Sequence, residues 1–364
     1  MSRSCLLLFI ITLTLVVSQT LIADDLPALP ENAQLAFEED WSSGSISPRK
    51  WYALRKQWGA SNNGVVPENV FVVKDTDRHV LQCVAHGDRY EGPIFGKLKN
   101  KQRVGGVLVS RQHFASGRFQ VAMKIGTPEK PRPAGMVPAI WTYGFRSVKV
   151  DPLNSEKYLF GRPFYHPKLQ KWGKGQSFYW SEIDFPEYGK DGKYDTPMYN
   201  TFLNSKHIPQ TFDAHGAADG SWHTYTTDWR THLVAIPEVK DADVVEKDGY
   251  YWIRNADIPF DKYWGNPLRK QGDNKYSVCS GKVVRHWIDG QFIGENTQFV
   301  PAMTGQLNLG VWLPKWAGVA DWKTATVQFG DIKVWQFNDP GDVKGFLTEH
   351  IPNSFNRDGE LIKN

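Results

Sequence analysis

The sequence predicts an all-β fold, a sandwich or barrel of short strands. Three observations carry that expectation. Short runs of alternating apolar and polar residues recur between clusters of Gly, Pro, Asn and Asp. The Asp289-Gly290 dipeptide, flanked by strand-like runs, signals a tight hairpin. No amphipathic pattern sustains a helix of more than three turns. At 364 residues the chain could hold two small domains, but large β-sandwiches also reach about 200–250 residues as one.

Residues 1–23 read as a secretory signal peptide: Arg3 supplies a positive start, Cys5 to Val17 is apolar, and Ala23 offers a small residue for cleavage. The apolar run is short for a membrane span, so an N-terminal anchor is the competing reading. A secreted, periplasmic or cell-surface location follows, with no membrane association after cleavage. Residues 24–35 read as a polar, Pro-containing linker.

Strand-like runs then follow in order: Val70–Val73 and Val80–Val84 around Asp75-Thr76-Asp77; Val107–Val109 and Arg118–Met123 around Ser116-Gly117; Val283–Ile288 and Gln291–Ile293 around Asp289-Gly290; and finally Val327–Phe329 and Ile332–Trp335. Two stretches, 145–179 and 236–280, are too long for turns; such stretches are functional walls or lids, or elements misread as loop. Residues 338–364 read as a polar C-terminal tail.

Composition narrows the function. The net charge of +4 is too small to argue for nucleic acid. Its distribution is uneven: 145–179 holds seven Lys or Arg against Asp151 and Glu156. A solvated loop explains that excess most cheaply, and an anionic substrate explains it too. The 15 Trp, 14 Tyr and 20 Phe exceed what a core alone needs, so some can form a platform for sugar rings. Loss of Cys5 with the leader leaves Cys83 and Cys279, which either pair or stand as two buried thiols. No paired-His motif and no phosphate-cradling Gly loop is present, so no cofactor is expected.

The informative segment is Trp180-Ser181-Glu182-Ile183-Asp184-Phe185-Pro186-Glu187-Tyr188-Gly189. On a regular strand Glu182 and Asp184 share one face, with Ile183 and Phe185 on the other. Glu187 is out of phase, and a one-residue bulge would restore it to the carboxylate face. Pro186 suits a bulge, because proline inside a sheet is confined to edges and bulges. Three adjacent carboxyls repel, so at least one should hold its proton near neutral pH. A retaining glycosidase needs that pairing of an ionised nucleophile and a protonated acid. A calcium site is the alternative use for such acids, and a structural calcium ion remains compatible with them.

With its neighbours, this segment resembles glycoside hydrolase family 16, the laminarinase, agarase and carrageenase group. The match is Glu-Ile-Asp-x-x-Glu at 182–187. Supporting stretches follow the family's order: Gly105–Ser110, Gly117–Val121, Val137–Trp141, Trp222–Trp229, Trp287–Gly290, Leu307–Gly310, Trp316–Gly318 and Ile332–Trp335. The resemblance spans 36–337. It implies a concanavalin A-like jelly roll of two antiparallel sheets with a concave cleft, and a retaining endo-hydrolase of a β-1,3-glucan or an algal β-galactan. By position it implies Glu182 as nucleophile, Asp184 as its hydrogen-bonding neighbour and Glu187 as acid/base. Trp141, Trp180, Tyr188, His223, Trp312 and Trp316 stand as substrate-binding candidates, His223 as a residue hydrogen-bonded behind the site. A monomer acting on a polysaccharide is expected. A transglycosylase and a non-catalytic carbohydrate-binding protein are the alternatives. Phe185-Pro186 and the two long inserts depart from the family pattern and bear on substrate.

Overall fold

The computed structural model describes residues 25–56, 64–92, 103–149, 157–159, 162–164, 171–172, 176–203, 206–247, 249–255 and 257–348, with backbone alone over 145–179 and at 247 and 260. The expected signal peptide lies outside the described residues, as does the chain beyond Thr348.

Two antiparallel sheets form the fold, and among the described residues the helical pieces are single 3-10 turns. The larger sheet runs, in spatial order, Val244–Lys247, Tyr250–Ile253, Leu268–Gly272, Lys275–Ile288, Trp222–Ala235, Gly117–Ile125, Thr324–Gln336, Arg78–His86 and Val70–Asp75. Gln34–Glu39 and Gln291–Asn296 attach to it. The smaller sheet runs Lys171–Trp172, Gln176–Glu187, Val137–Lys149, Gly305–Trp312, Gly106–Phe114 and Trp51–Ala53, with Thr201–Leu203 also on Gln176–Glu187. Asp289 and Gly290 both take positive φ, as the turn between Lys275–Ile288 and Gln291–Asn296 requires.

Period-two alternation holds the sheets face to face. Along Gly117–Ile125, Phe119, Val121, Met123 and Ile125 are sealed inside, while Gln120, Ala122 and Lys124 stay partly exposed. Tyr225, Trp229, Phe329 and Ile332 join them from the larger sheet. Leu108, Ile140, Ile183, Phe185, Leu307 and Leu309 meet them from the smaller one. Each such apolar side chain contributes about 1.5–3 kcal/mol by leaving water. The smaller sheet's outer face carries a second cluster that includes Tyr52, Val107, Val109, Ala139 and Trp141, with Tyr143, Trp312 and Trp316 packed against it.

Four boundaries differ from the sequence reading. The segment 236–280 is a meander of strands that widens the larger sheet over its own core of Ile236, Val239, Ile253, Leu268 and Tyr276. The strands Val137–Lys149 and Gln176–Glu187 run far into 145–179 as a paired ladder out to Lys149↔Gln176, while the side chains of its seven basic residues lie outside the described ones. Antiparallel pairing begins inside the expected linker, with a bridge from Asp25 to Gln291 and then the strand from Gln34. The chain beyond Phe337 is no free tail through Thr348: Asp339 binds Arg230 through two oxygens, each at 2.7 Å, and Phe346 stacks on His113 at 4.0 Å. Cys83 and Cys279 are both buried free thiols in separate clusters. Burial pushes both thiols up, that of Cys279 to about 11.

Candidate active site

The strand Gln176–Glu187 positions the site. Its inner residues Ile183 and Phe185 are 1% exposed and anchor it to the core. Glu182 pairs in register with Tyr143, and Asp184 with Trp141. The register then slips by one residue, so that Glu187 faces Ala139. Ala139, Trp141 and Tyr143 share the outer face, and the slip therefore puts Glu187 on the same face as Glu182 and Asp184. The Phe185–Pro186 peptide inside the slip is cis. Backbone bonds fix the bulge from both sides: Asp184 N donates to Asn200 O at 2.9 Å, Glu187 N to Met198 O at 2.9 Å, and Tyr188 N to Pro138 O at 3.0 Å.

The three acids have unlike surroundings. Glu182 accepts a short hydrogen bond from the Trp180 indole N–H and bonds to Asp184. Asp184 is 4% exposed and accepts from Asn200 Nδ2 at 3.2 Å. Asn200 is itself oriented by Gln210 N, which donates to its Oδ1 at 3.1 Å. Glu187 bonds to Trp312 and feels the Lys190 ammonium. Burial raises all three carboxyls, and their mutual repulsion raises them further. Glu182 has the strongest opposition to that rise: the Trp180 N–H, the bond from Asp184 and the charge of Lys56 all favour its carboxylate. The Glu182–Asp184 hydrogen bond favours the carboxylate of Glu182 and the protonated form of Asp184. The arrangement can thus present a carboxylate at Glu182 beside a proton held at Glu187.

Aromatic side chains border the acids on two sides. Trp180 stacks on Phe202 at 5.0 Å with rings 4° from parallel, and Phe202 on His207 at 4.5 Å. Beyond Glu187, Trp312 meets Trp316 edge to face at 5.5 Å. Trp141 lies between, beside Asp184 and 7% exposed. Among the described residues no group of three or more His, Cys, Asp or Glu side chains could hold a metal ion.

Two of the expected substrate-binding residues stand elsewhere. Tyr188 follows Glu187 and so points inward; it is fully buried, 2.9 Å from the hydroxyl of Tyr225. His223 sits on the larger sheet between Asp289, at 2.6 Å, and Asp219, at 3.1 Å, in a surface ion cluster. Conversely Lys56, Asn200, Phe202 and His207 reach the site without any sequence signal that singled them out. Only the aromatic character of Phe202, close after the acid motif, hinted at its place.

No family model matches this chain, and no curated protein matches it in sequence. Solved structures do match in fold. The laminarinase catalytic domain from Thermotoga maritima superposes with a TM-score of 0.50 at 13% identity, over 84% of this chain and 99% of that domain. A β-glucanase from Bacillus licheniformis gives 0.47 at 15%, over 82% and 96%. A β-1,3-1,4-glucanase, a lichenase from a mouse hindgut metagenome, gives 0.47 at 16%, over 83% and 98%. The chain shares the jelly-roll fold of the laminarinase catalytic domain.

Proposed function

We propose that this chain, on that fold, is a retaining endo-glycoside hydrolase of a β-linked polysaccharide. One observation carries the reading: the bulged strand sets Glu182, Asp184 and Glu187 on one face between two aromatic borders. Glu182 attacks the anomeric carbon as Glu187 protonates the departing glycosidic oxygen, leaving a glycosyl ester on Glu182. Glu187, now a carboxylate, takes a proton from water, which attacks the same carbon and releases Glu182. Asp184, carrying a proton and held by Asn200, orients Glu182 and stabilises its charge in each half-reaction. The tryptophans offer flat faces for the C–H surfaces of sugar rings.

A β-1,3-linked glucan leads as substrate. The likeness in fold to a laminarinase domain supports it, and so do the aromatic borders of the acids. The basic stretch 145–179 favours a second reading, a sulfated β-galactan. One assay separates them: reducing ends released from laminarin, lichenan, agarose, porphyran and carrageenans across a salt series. Laminarin cleaved independently of salt, with the β-anomer as first product by NMR, is the expected result. Cleavage of a sulfated polymer that falls steeply with salt would favour the galactan, and an α-anomer formed first would sink the mechanism. The signal-peptide character of residues 1–23 supports export, which mass spectrometry of a secreted chain starting near Asp24 would test.

A further inference from the structure

Lys56 is an unusual residue for its place. Long charged side chains are almost never fully buried unless paired, and Lys56 is 8% exposed. It follows the edge strand Trp51–Ala53, which lies at the far side of the smaller sheet from Gln176–Glu187. A backbone bridge to Val65, with bonds of 3.0 and 2.8 Å, pins it in the outer-face cluster, where Tyr52 and Val65 pack with Trp141 and Tyr143. From there its Nζ lies 5.8 Å from the centroid of the Tyr143 ring, and Tyr143 is the register partner of Glu182. A connection from one edge of the sheet thus carries a cation back to the acid at the other.

The groups set against Glu182 among the described residues are few. Its own strand supplies the Trp180 N–H, Asp184 and Glu187. The neighbouring strand supplies the Tyr143 phenol, and Thr201–Leu203 the uncharged ring of Phe202. Of the two acids, Glu187 opposes a charge on Glu182, while Asp184 favours it through their hydrogen bond. Lys56 is the cation whose charge acts on Glu182.

We propose that Lys56 is a positioning residue for the nucleophile, holding the Glu182 carboxylate charged and oriented against its burial and the charge of Glu187. The proposal rests on the assignment of Glu182 above. The influence runs both ways: burial lowers Lys56 to about 8, and the charge of Glu182 works against that fall.

The test uses the intact mature chain. Lys56→Met removes the cation and keeps the apolar stem, so Glu182 becomes harder to ionise. The acidic limb of kcat/KM should then move up by about one pH unit, within the range a nearby opposite charge commands. Lys56→Arg should restore the limb. A merely structural role would lower the plateau and the melting temperature and leave the limb where it was, which would overturn the proposal. A second readout needs neither activity nor a folded Lys56→Met. The side-chain NMR signal of Lys56, assigned by its loss in Lys56→Arg, is titrated in the wild type and in Glu182→Gln. A midpoint lower by about one unit in Glu182→Gln supports the pair, and an unmoved midpoint overturns it. Should Glu182→Gln keep its activity, the nucleophile assignment fails, while the NMR titration still reports on the Lys56–Glu182 coupling.

Discussion

The two sheets treat buried charge in opposite ways. On the larger sheet Asp228 faces Arg118 in register, and the two lock together through Nε–Oδ1 at 2.6 Å and Nη2–Oδ2 at 2.8 Å. A third donor, Nη1, reaches Pro27 O at 2.8 Å, and both side chains are under a tenth exposed. These two buried charges meet in a two-pronged geometry. On the smaller sheet Glu182, Asp184 and Glu187 share one face with each other, held by neutral donors and by cations at longer range. The first arrangement ties the sheet and the N-terminal segment together. The second raises the free energy of the fold, and such clusters concentrate where chemistry is done.

The comparison breaks most visibly if the acids prove dispensable. Glu182→Gln and Glu187→Gln should each cut polysaccharide cleavage by about 10³-fold or more, with Asp184→Asn less damaging than Glu182→Gln. Reducing-end assays on folded variants check this, and near-normal rates would make the cluster a structural oddity. The opposite signature is expected on the larger sheet. Arg118→Met strands a buried Asp228 and should cost about 3–5 kcal/mol in denaturant unfolding. The activity of the remaining folded molecules should not change, and an active-site effect would show that the sheets are not separate in role.

Stability against pH sharpens the contrast. The three site carboxyls are raised in the folded state, so between their ordinary and folded values the native protein binds more protons than the unfolded chain. Their contribution to stability is therefore full below about pH 4 and is lost as pH rises through the folded values. Glu187→Gln removes one such group. It should be more stable than the wild type at pH 8, with the gap closing toward pH 4. A gap that is constant with pH would mean that the fold does not raise the Glu187 carboxyl.

The bulge was legible because it needed only a period of two, an out-of-phase Glu187 and Pro186 between the acids. The same rule, carried one residue further, sends Tyr188 inward. Neighbourhood in sequence to Glu187 suggested a place in the cleft, but alternation decides the face. Lys56 and Asn200 were not legible, because separate connections deliver them and no local spacing links either to Glu182. The meander at 236–280 was missed for another reason. Tyr250-Tyr251-Trp252-Ile253 is an unbroken apolar run without alternation, flanked by Gly249 and Asn255. Its strand character lies in its aromatic and β-branched composition, a weaker signal than periodicity.

The smallest effect expected is at His223, a charge cluster intermediate between the two sheets' extremes. Its imidazole bridges Asp289 and Asp219, both about half exposed. Burial alone would lower its pKa, but the hydrogen bonds and charges of the two aspartates outweigh that and raise it. A raised histidine contributes stability that is full below its ordinary value of about 6.5 and is lost as pH rises through the folded value. Solvent screening limits the contribution to about 1 kcal/mol or less. His223→Gln should therefore lower the unfolding free energy slightly at pH 5 and hardly at all at pH 8, with the pH 5 difference shrinking in high salt. Cleavage rates should match the wild type at both pH values, because the ring stands with Asp219 and Asp289 and not with the three site acids. A fall in kcat/KM in His223→Gln that salt does not abolish would return His223 to the substrate-binding set.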